Sequence, residues 1–488
     1  TVVDILGIGN SGLIAAKKSL ETTGHNITNV NTDGYSRQRV HQTTSNPVTS
    51  SGLIQGTGVQ VRSIDRTHDP FVEKRLQKSI SQESYSQFRH EELSQIENIF
   101  NEIDNGGLNN VMNKFYNAFR ELSSQPDNET MRSVVRDTAN LVVKDFHRIR
   151  DSLDTLSRGI DQKIGGEVKD VNAISSNITE LNIRIANLEA SGDETGDLRD
   201  QRDLAVKELA KSFQVHTYQD DKNNFIVSAK GVGTIVAGGQ YQDLAAAGAS
   251  LTESSSGMDG SVEVFFKERP SHKITPKFRS GRLSSLIKVR NSDIQQLQEK
   301  IDSLAFDFAN SVNAIHSRGY VSRNLPVGPN GEVQASDAKG ASTGVNFFKV
   351  TPGREGAANN LELSDEVKGD ISNIVTALSP NSPGDNRISL AISKLQHEKF
   401  MAGGTATIEE EFLKTVGNVG VEVGKAKLDA QQMEGLRVQV ETVKERISGV
   451  SLDEETANMV RFQHAYDAAA KVMATANEMF QTVINIKR

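Results

Sequence analysis

The stretch that decides the fold is LGIGNSGLIAAKKSLETTGHNITNV, residues 6–30. Leu6, Leu13, Leu20 and Ile27 recur at sevens, and Gly9, Ala16, Thr23 and Val30 follow each of them by three. That 3-4 alternation writes one seam down a helix. Its second column is small or polar, so the helix presents a groove for a bulky partner. The other end of the chain supplies one. Met459, Tyr466, Met473 and Phe480 recur at sevens, interleaved with Phe462, Ala469, Ala476 and Val483, and neither Pro nor Gly interrupts residues 451–488. Asp453, Glu454 and Glu455 fall in the first turn, where the helix dipole favours carboxylates. Large side chains at one terminus complement small ones at the other, so a paired terminal coiled coil is expected. Periodicity alone also admits two unrelated amphipathic helices packed on a globular core.

The rest of the composition fits long helices. A chain of 488 residues has room for two to four domains of about 100–200 residues each. Only 36% of residues are hydrophobic and 5% aromatic, with no Trp, and the mean hydropathy is -0.44. This argues against one large close-packed core and for narrow apolar stripes with small satellite domains. The net charge of -8 is spread along the chain and leaves no nucleic-acid footprint. The absence of Cys removes disulfides, thiolate metal sites and cysteine nucleophiles. No run of about 18 apolar residues is available for a membrane span. Thr1-Val2-Val3-Asp4-Ile5-Leu6 has neither a basic nor an apolar leader region, so no cleavable signal peptide is expected. Export, if it occurs, then follows a signal-peptide-independent route.

Helical stripes recur inside the chain. Ile160, Ile164, Val171, Ile174, Ile178, Leu181, Ile185 and Leu188 form one, and Ile294, Leu297, Ile301, Leu304, Phe308, Val312 and Ile315 another. Met433, Leu436, Val440, Val443 and Ile447 form a third, and further helices are expected over 71–100 and 111–122. Strand character is confined to the middle. Phe213–Tyr218 alternates, Asp220–Asn224 supplies turn chemistry, Phe225-Ile226-Val227 resumes, and Val262–Phe266 adds another strand after a Gly/Ala/Ser-rich span, 231–260. Residues 320–385, with Pro326-Val327-Gly328-Pro329-Asn330-Gly331, read as loop with short strands at 345–350 and 361–363. A boundary is expected at 46–58. The fold class is therefore mainly α with an inserted β domain. The expected division is a terminal rod (1–60 with 450–488), a helical bundle (61–212 with 282–319 and 386–449), a β-rich insert (213–281) and a loop-rich outer segment (320–385).

No catalytic constellation emerges. Gly7-Ile8-Gly9-Asn10-Ser11-Gly12 matches the dinucleotide fingerprint letter by letter, but no strand of useful length precedes it, no βαβ unit follows, and the heptad runs through the glycines. Ser11 belongs to no nucleophile elbow, and the ten His residues show no metal-ligand spacing. Glu409-Glu410-Glu411 reads as a helix first turn or exposed face. The expectation is a non-enzymatic chain without cofactor, metal, nucleic-acid or membrane partner.

The helix exit carries the most specific signal. Asn29, Asn31 and Asp33 favour caps and turns, Gly34 can adopt the positive φ that closes a helix, and Tyr35 and Arg37 are expected to point out of an extended segment. Ser11–Ala16, His25–Asn29 and Gly34–Gln38 together closely resemble the N-terminal signature of flagellar rod, hook and hook-associated proteins. His25 and Asp33 depart from that family's usual residues. Leu198-Arg199-Asp200-Gln201-Arg202-Asp203, Ser280-Gly281-Arg282-Leu283, and Ser448-Gly449-Val450-Ser451-Leu452-Asp453-Glu454-Glu455 narrow the resemblance to the hook-associated protein 1 family, the hook–filament junction proteins. The resemblance is dense over about the first 90 and last 45 residues. It implies a secreted, extracellular component of the bacterial flagellum, exported by the flagellar type III route and built into a ring of identical subunits. Its implied partners are the hook protein, a second hook-associated junction protein, the filament, and a cytoplasmic export chaperone at the C-terminal helix. The expected assembly residues are Leu6, Leu13, Ala16, Leu20 and Ile27 against Met459, Phe462, Tyr466, Met473, Phe480 and Val483. Asn26, Asn29, Gly34 and Tyr35 are expected at the rod exit. The rival readings are another axial flagellar subunit (hook, rod or filament), a dinucleotide enzyme built on Gly7–Gly12, and a signalling coiled coil.

Overall fold

The heptad stretch forms helix α1, Val2–Thr28. The computed structural model describes residues 2–50, 53–100, 107–248, 261–323, 325–327, 332–335 and 340–486. After α1 come strands β1 (Gln38–Thr44), β2 (Val48–Ser50), β3 (Leu53–Gln55) and β4 (Val59–Arg66). Helices α2 (Pro70–Phe100), α3 (Gly107–Ser124), α4 (Glu129–Ser191) and α5 (Gly196–Ser212) follow. The central strands are β5 (Val215–Gln219), β6 (Phe225–Ala229), β7 (Gly233–Ala237), β8 (Gln240–Tyr241), β9 (Leu244–Gly248) and β10 (Val262–Phe266). Then come α6 (Gly281–Lys288), α7 (Gln295–His316), β11 (Tyr320–Val321), β12 (Gln334–Ala335) and β13 (Ser342–Thr343). The chain ends through α8 (Asp365–Gly369), α9 (Arg387–Lys394), α10 (Ile408–Ser448) and α11 (Leu452–Ile486). The fold is mainly helical with small sheets, and its first and last helices pack together.

The chain divides into two compact units. The first comprises 1–85, 165–284 and 431–488, the second 86–164 and 285–430, so α2, α4 and α10 contribute residues to each.

In the first unit α1 lies along α11, and the small column makes the close approach. A Cβ on Gly9 would stand 2.9 Å from Met473 Cγ, and one on Gly12 would stand 3.5 Å from Ala469 Cβ. Strands β1 and β4 pair antiparallel and rest on α1, where Val59 N–H donates to Ser11 Oγ at 3.2 Å and Gln42 Nε2 to Ser19 Oγ at 3.0 Å. The boundary expected at 46–58 is thus partly strand. Strands β5, β6, β7 and β8 form an antiparallel sheet in sequence order, and β9 pairs with β10. The span 231–260 lies outside the described residues from 249 onward. Val227, Val236 and Val264 fill the strand core, and Phe213 meets Phe278 with ring centroids 5.7 Å apart. Gly281 explains its motif: at φ +72° its absent Cβ would stand 2.5 Å from the backbone of Ser212 and Phe213.

The second unit holds an aromatic core. Along α3, Leu108, Val111, Met112, Phe115, Phe119 and Leu122 recur at helical spacing and are all buried. Phe115 contacts Phe119, Phe308 and Phe347, with ring centroids 5.1, 5.4 and 5.8 Å away. Helix α7 also anchors the loop-rich segment through polar side chains. Asp302 accepts from the Gly356 and Ala358 amides, both at 3.0 Å. Asn313 accepts from the Phe347 and Phe348 amides at 2.9 and 2.8 Å and donates to the Phe348 carbonyl at 2.9 Å. His316 bonds the Val345 carbonyl at 2.7 Å through Nδ1 and accepts from the Val375 amide at 2.9 Å through Nε2. Burial drives the His316 pKa down to about 4, so the ring is neutral with its proton on Nδ1.

Several expectations change. Helix α4 begins at Glu129 rather than near Ile160, and Gly159, Gly165 and Gly166 lie inside it without ending it. The strands expected at 345–350 and 361–363 reduce to one bridge between Phe348 and Leu363. Of the turn 326–331, residues 328–331 lie outside the described residues. The acidic run at 409–411 does open a helix: Thr407 Oγ1 accepts from Glu410 N–H at 3.1 Å, and Glu410 Oε2 accepts from Thr407 N–H at 2.9 Å, a capping box.

Candidate assembly site where the chain termini meet

Helix α1 closes on its own side chains. Asn29 Nδ2 donates to the His25 carbonyl at 3.0 Å, Thr32 N–H to the Asn29 carbonyl at 3.0 Å, and Tyr35 N–H to the Thr32 carbonyl at 3.2 Å. Gly34 has φ +81° beside Leu204, a left-handed conformation that glycine takes without strain. The reversal folds Tyr35 back over α1. Its hydroxyl donates to Asn26 Oδ1 at 2.8 Å and lies 3.1 Å from His25 Nδ1.

Asn26 is the centre of the junction and is 1% exposed. Its Oδ1 also accepts from Gln38 N–H at 3.0 Å, while its Nδ2 donates to the Gln38 carbonyl at 2.9 Å and to Glu455 Oε2 at 3.1 Å. Both amide protons and both lone-pair directions are therefore used, which only Asn or Gln can do. The Arg37 guanidinium pairs with Glu454 and Glu455, each at 2.6 Å, and Arg37 N–H donates to the Ser448 carbonyl at 2.9 Å. The start of α11 is thereby bonded to the exit of α1. A third segment joins them from α5: Ser36 N–H donates to Asp200 Oδ2 at 2.8 Å, and Arg66 spans Asp200 at 2.9 Å and Asp203 at 2.6 Å.

Electrostatics follow from this enclosure. Burial, then the charges of Asp197, Asp200 and Glu455, raise the Tyr35 pKa, so the phenol stays a proton donor. Burial also raises Asp200, outweighing its bonds from Ser36 and Arg66. Burial works against the Arg66 charge, but Asp203 and Asp200 outweigh it and raise its pKa.

The structure thus brings the 26–38, 198–203 and 448–455 motifs into one hydrogen-bonded network. Arg37, expected to point outward, is instead buried, and Tyr35 is half-buried, because each is the partner of a buried polar group. Asp200, Arg37 and Arg66 were missed as site residues; Asp200 and Arg37 lie within the quoted motifs, whereas nothing in the sequence marks Arg66. Of the expected assembly residues, Ala16 is buried and Leu6, Leu13, Leu20, Ile27, Met459, Phe462, Tyr466 and Met473 are half-buried. Phe480 and Val483 stay exposed. The deepest positions belong to the small residues: Gly9, Ala15, Ala16, Ser19, Thr23 and, on α11, Ala476. Among the described residues no three carboxylate or imidazole groups are placed to hold a metal, and no helix is long and apolar enough to cross a membrane.

A chain whose two ends close on each other through a polar lock, while their apolar stripe stays only half covered, is a structural building block of a larger assembly. Comparison with known proteins makes this specific. Residues 93–330 match the model of the flagellar hook-associated protein FlgK helical domain, and 446–486 match that of the flagellar basal body rod FlgEFG protein C-terminal region. The chain is 29% identical to flagellar hook-associated protein 1 of Bacillus subtilis, over 97% of this chain and 96% of that one. It is 25% identical to flagellar hook-associated protein 1 of Salmonella typhimurium, over 98% of each. The structure of the flagellar hook junction protein FlgK from Burkholderia pseudomallei superposes with a TM-score of 0.62 at 14% identity, covering 77% of this chain and all of that one, which shows a shared fold. The chain belongs to the flagellar hook-associated protein 1 family, whose members are structural and not enzymes.

Proposed function

We propose that this protein is the junction piece of the bacterial flagellum, an extracellular ring of identical subunits joining hook to filament and adapting one lattice to the other. The observation that carries this reading is full-length similarity to hook-associated protein 1, together with a terminal helix pair that a single copy leaves half exposed. In this reading 1–60 with 450–488 form the rod that continues the tube. The bundle segments 61–212, 282–319 and 386–449 carry the insert 213–281 and the outer segment 320–385. Leu6, Leu13, Leu20 and Ile27, with Met459, Phe462, Tyr466, Met473, Phe480 and Val483, present the apolar stripe to neighbouring subunits, the hook protein and the next junction protein. Asn26, Asn29, Gly34 and Tyr35 fix the angle at which the chain leaves the rod. Before assembly the apolar end of α11 is the natural hold for an export chaperone, since an uncovered stripe invites aggregation. Deleting the gene tests the function: hooks should form without filaments, with flagellin lost to the medium. Normal filaments on such cells would refute it.

A further inference from the structure

The first unit contains a cavity of about 400 Å³ whose walls include Arg66, His68, Lys74, Arg199, Arg202 and Phe225. Arg66 is matched by Asp200 and Asp203, and Arg199 by Glu189 at 2.5 Å. The wall carboxylate Glu73 is taken by Lys207 at 3.3 Å. Arg202 has no such match. It is 5% exposed, has no carboxylate in ion-pair contact among the described residues, and lies 3.8 Å over the Phe225 ring. Its Nη1 donates to Asn182 Oδ1 at 3.2 Å, while its buried Nε has no acceptor. Lys74, exposed on the same cavity wall, has no ion-pair partner among the described residues either. Burial pulls the Arg202 pKa down to about 10, against the opposing charges of Asp203, also on this wall, and Glu189, neither of which is in ion-pair contact with it; burial, with Arg66 adding to it, also lowers that of His68.

A buried guanidinium short of counter-charge is destabilising unless an anion reaches it. Its planar fork matches a carboxylate, and the aromatic wall suits the methylene stem behind one. We propose that this cavity is a carboxylate-binding site, filled in the assembled state by an Asp or Glu side chain of a second copy of the chain. The chain is net acidic, 63 acidic residues against 55 basic, whereas Arg66, Lys74, Arg199 and Arg202 outnumber Glu73 and Asp203 on this wall, so a second copy carries the complementary charge. The second-copy source rests on the assembly reading above; the site itself does not.

The test uses the purified full-length chain, titrated with glutarate against sodium chloride at matched ionic strength while its thermal midpoint is followed. Glutarate at about ten times its Kd should raise the midpoint by about 1–2 °C. Arg202→Gln should abolish the gain, and Lys74→Gln, at an exposed position where folding is not at stake, should weaken binding several-fold. No gain over chloride in the wild-type chain, or an undiminished gain in Lys74→Gln and Arg202→Gln, overturns the site. Cells lacking their own copy then separate the sources. The wild-type gene should restore filaments and Lys74→Glu should restore at least ten-fold fewer. Full restoration by Lys74→Glu overturns the second copy as the source. Failure of the wild-type gene itself would refute the assembly reading and leave the glutarate result standing.

Discussion

The aromatic core of the second unit and the terminal helix pair of the first are built on opposite economies. In the core, Phe115, Tyr116, Phe119, Phe308, Phe347 and Phe348 are each almost wholly removed from water and touch one another edge to face. In the pair, contact is made by Gly9 and Gly12 against Met473 and Ala469, while Val460, Met479, Phe480, Val483 and Ile484 remain exposed. One region is finished within a single chain. The other is fastened at one end by the polar junction around Asn26 and leaves its apolar surface for something else to cover. On the proposed function, stability and assembly fall to different residues, and substitutions should separate them.

The largest loss of stability is expected from Phe308→Ala, which opens a cavity among at least four rings and should cost about 3–5 kcal/mol, read as a lowered denaturation midpoint. Acid should come next. The His316 pKa is depressed to about 4 against an unfolded value near 6.5, so its contribution is complete above about pH 6.5 and is lost as pH falls toward 4. The loss should total about 3 kcal/mol at most and first expose the Val375 amide, which hydrogen exchange at stepped pH would detect; His316→Asn should flatten the dependence. Asn26→Ala strands the Gln38 amide, the Tyr35 hydroxyl and Glu455, and should cost about 2 kcal/mol while loosening α11 from the exit of α1. Protease sensitivity around residue 450 would report that loosening. The smallest change in stability belongs to Phe480→Asp with Val483→Asp, both at exposed positions, whose thermal midpoint should move by less than about 1 kcal/mol equivalent. Incorporation into flagella should nevertheless fail, and normal incorporation would erase the distinction between the two regions.

What could be read in the chain before its structure divides along the same line. The seven-residue repeats of Leu6–Ile27 and Met459–Phe480 announce both terminal helices, because a periodic apolar stripe is a local signal. The stripe of α7 was equally plain, yet Asp302, Asn313 and His316 on that helix are what hold the loop-rich segment, and polar residues pairing with distant backbone leave no period to find. The junction shows both cases. Asn26, Asn29, Gly34 and Tyr35 stood out as turn and cap chemistry, whereas the Arg66 bridge to Asp200 and Asp203 joins residues more than 130 positions apart, invisible without the fold. The outward direction expected of Arg37 failed for the same reason, since Glu454 and Glu455 lie more than 400 positions away.

The bond from Asn26 to Glu455 spans 429 positions of sequence. A chain cut short anywhere before residue 448 brings neither that carboxylate nor the Ser448 carbonyl, and leaves the Asn26 amide with the Gln38 carbonyl alone and the Arg37 guanidinium with neither of its carboxylates. The junction therefore acts as a completeness check written into the fold: only a chain that extends from the first helix into the first turn of the last one can close it.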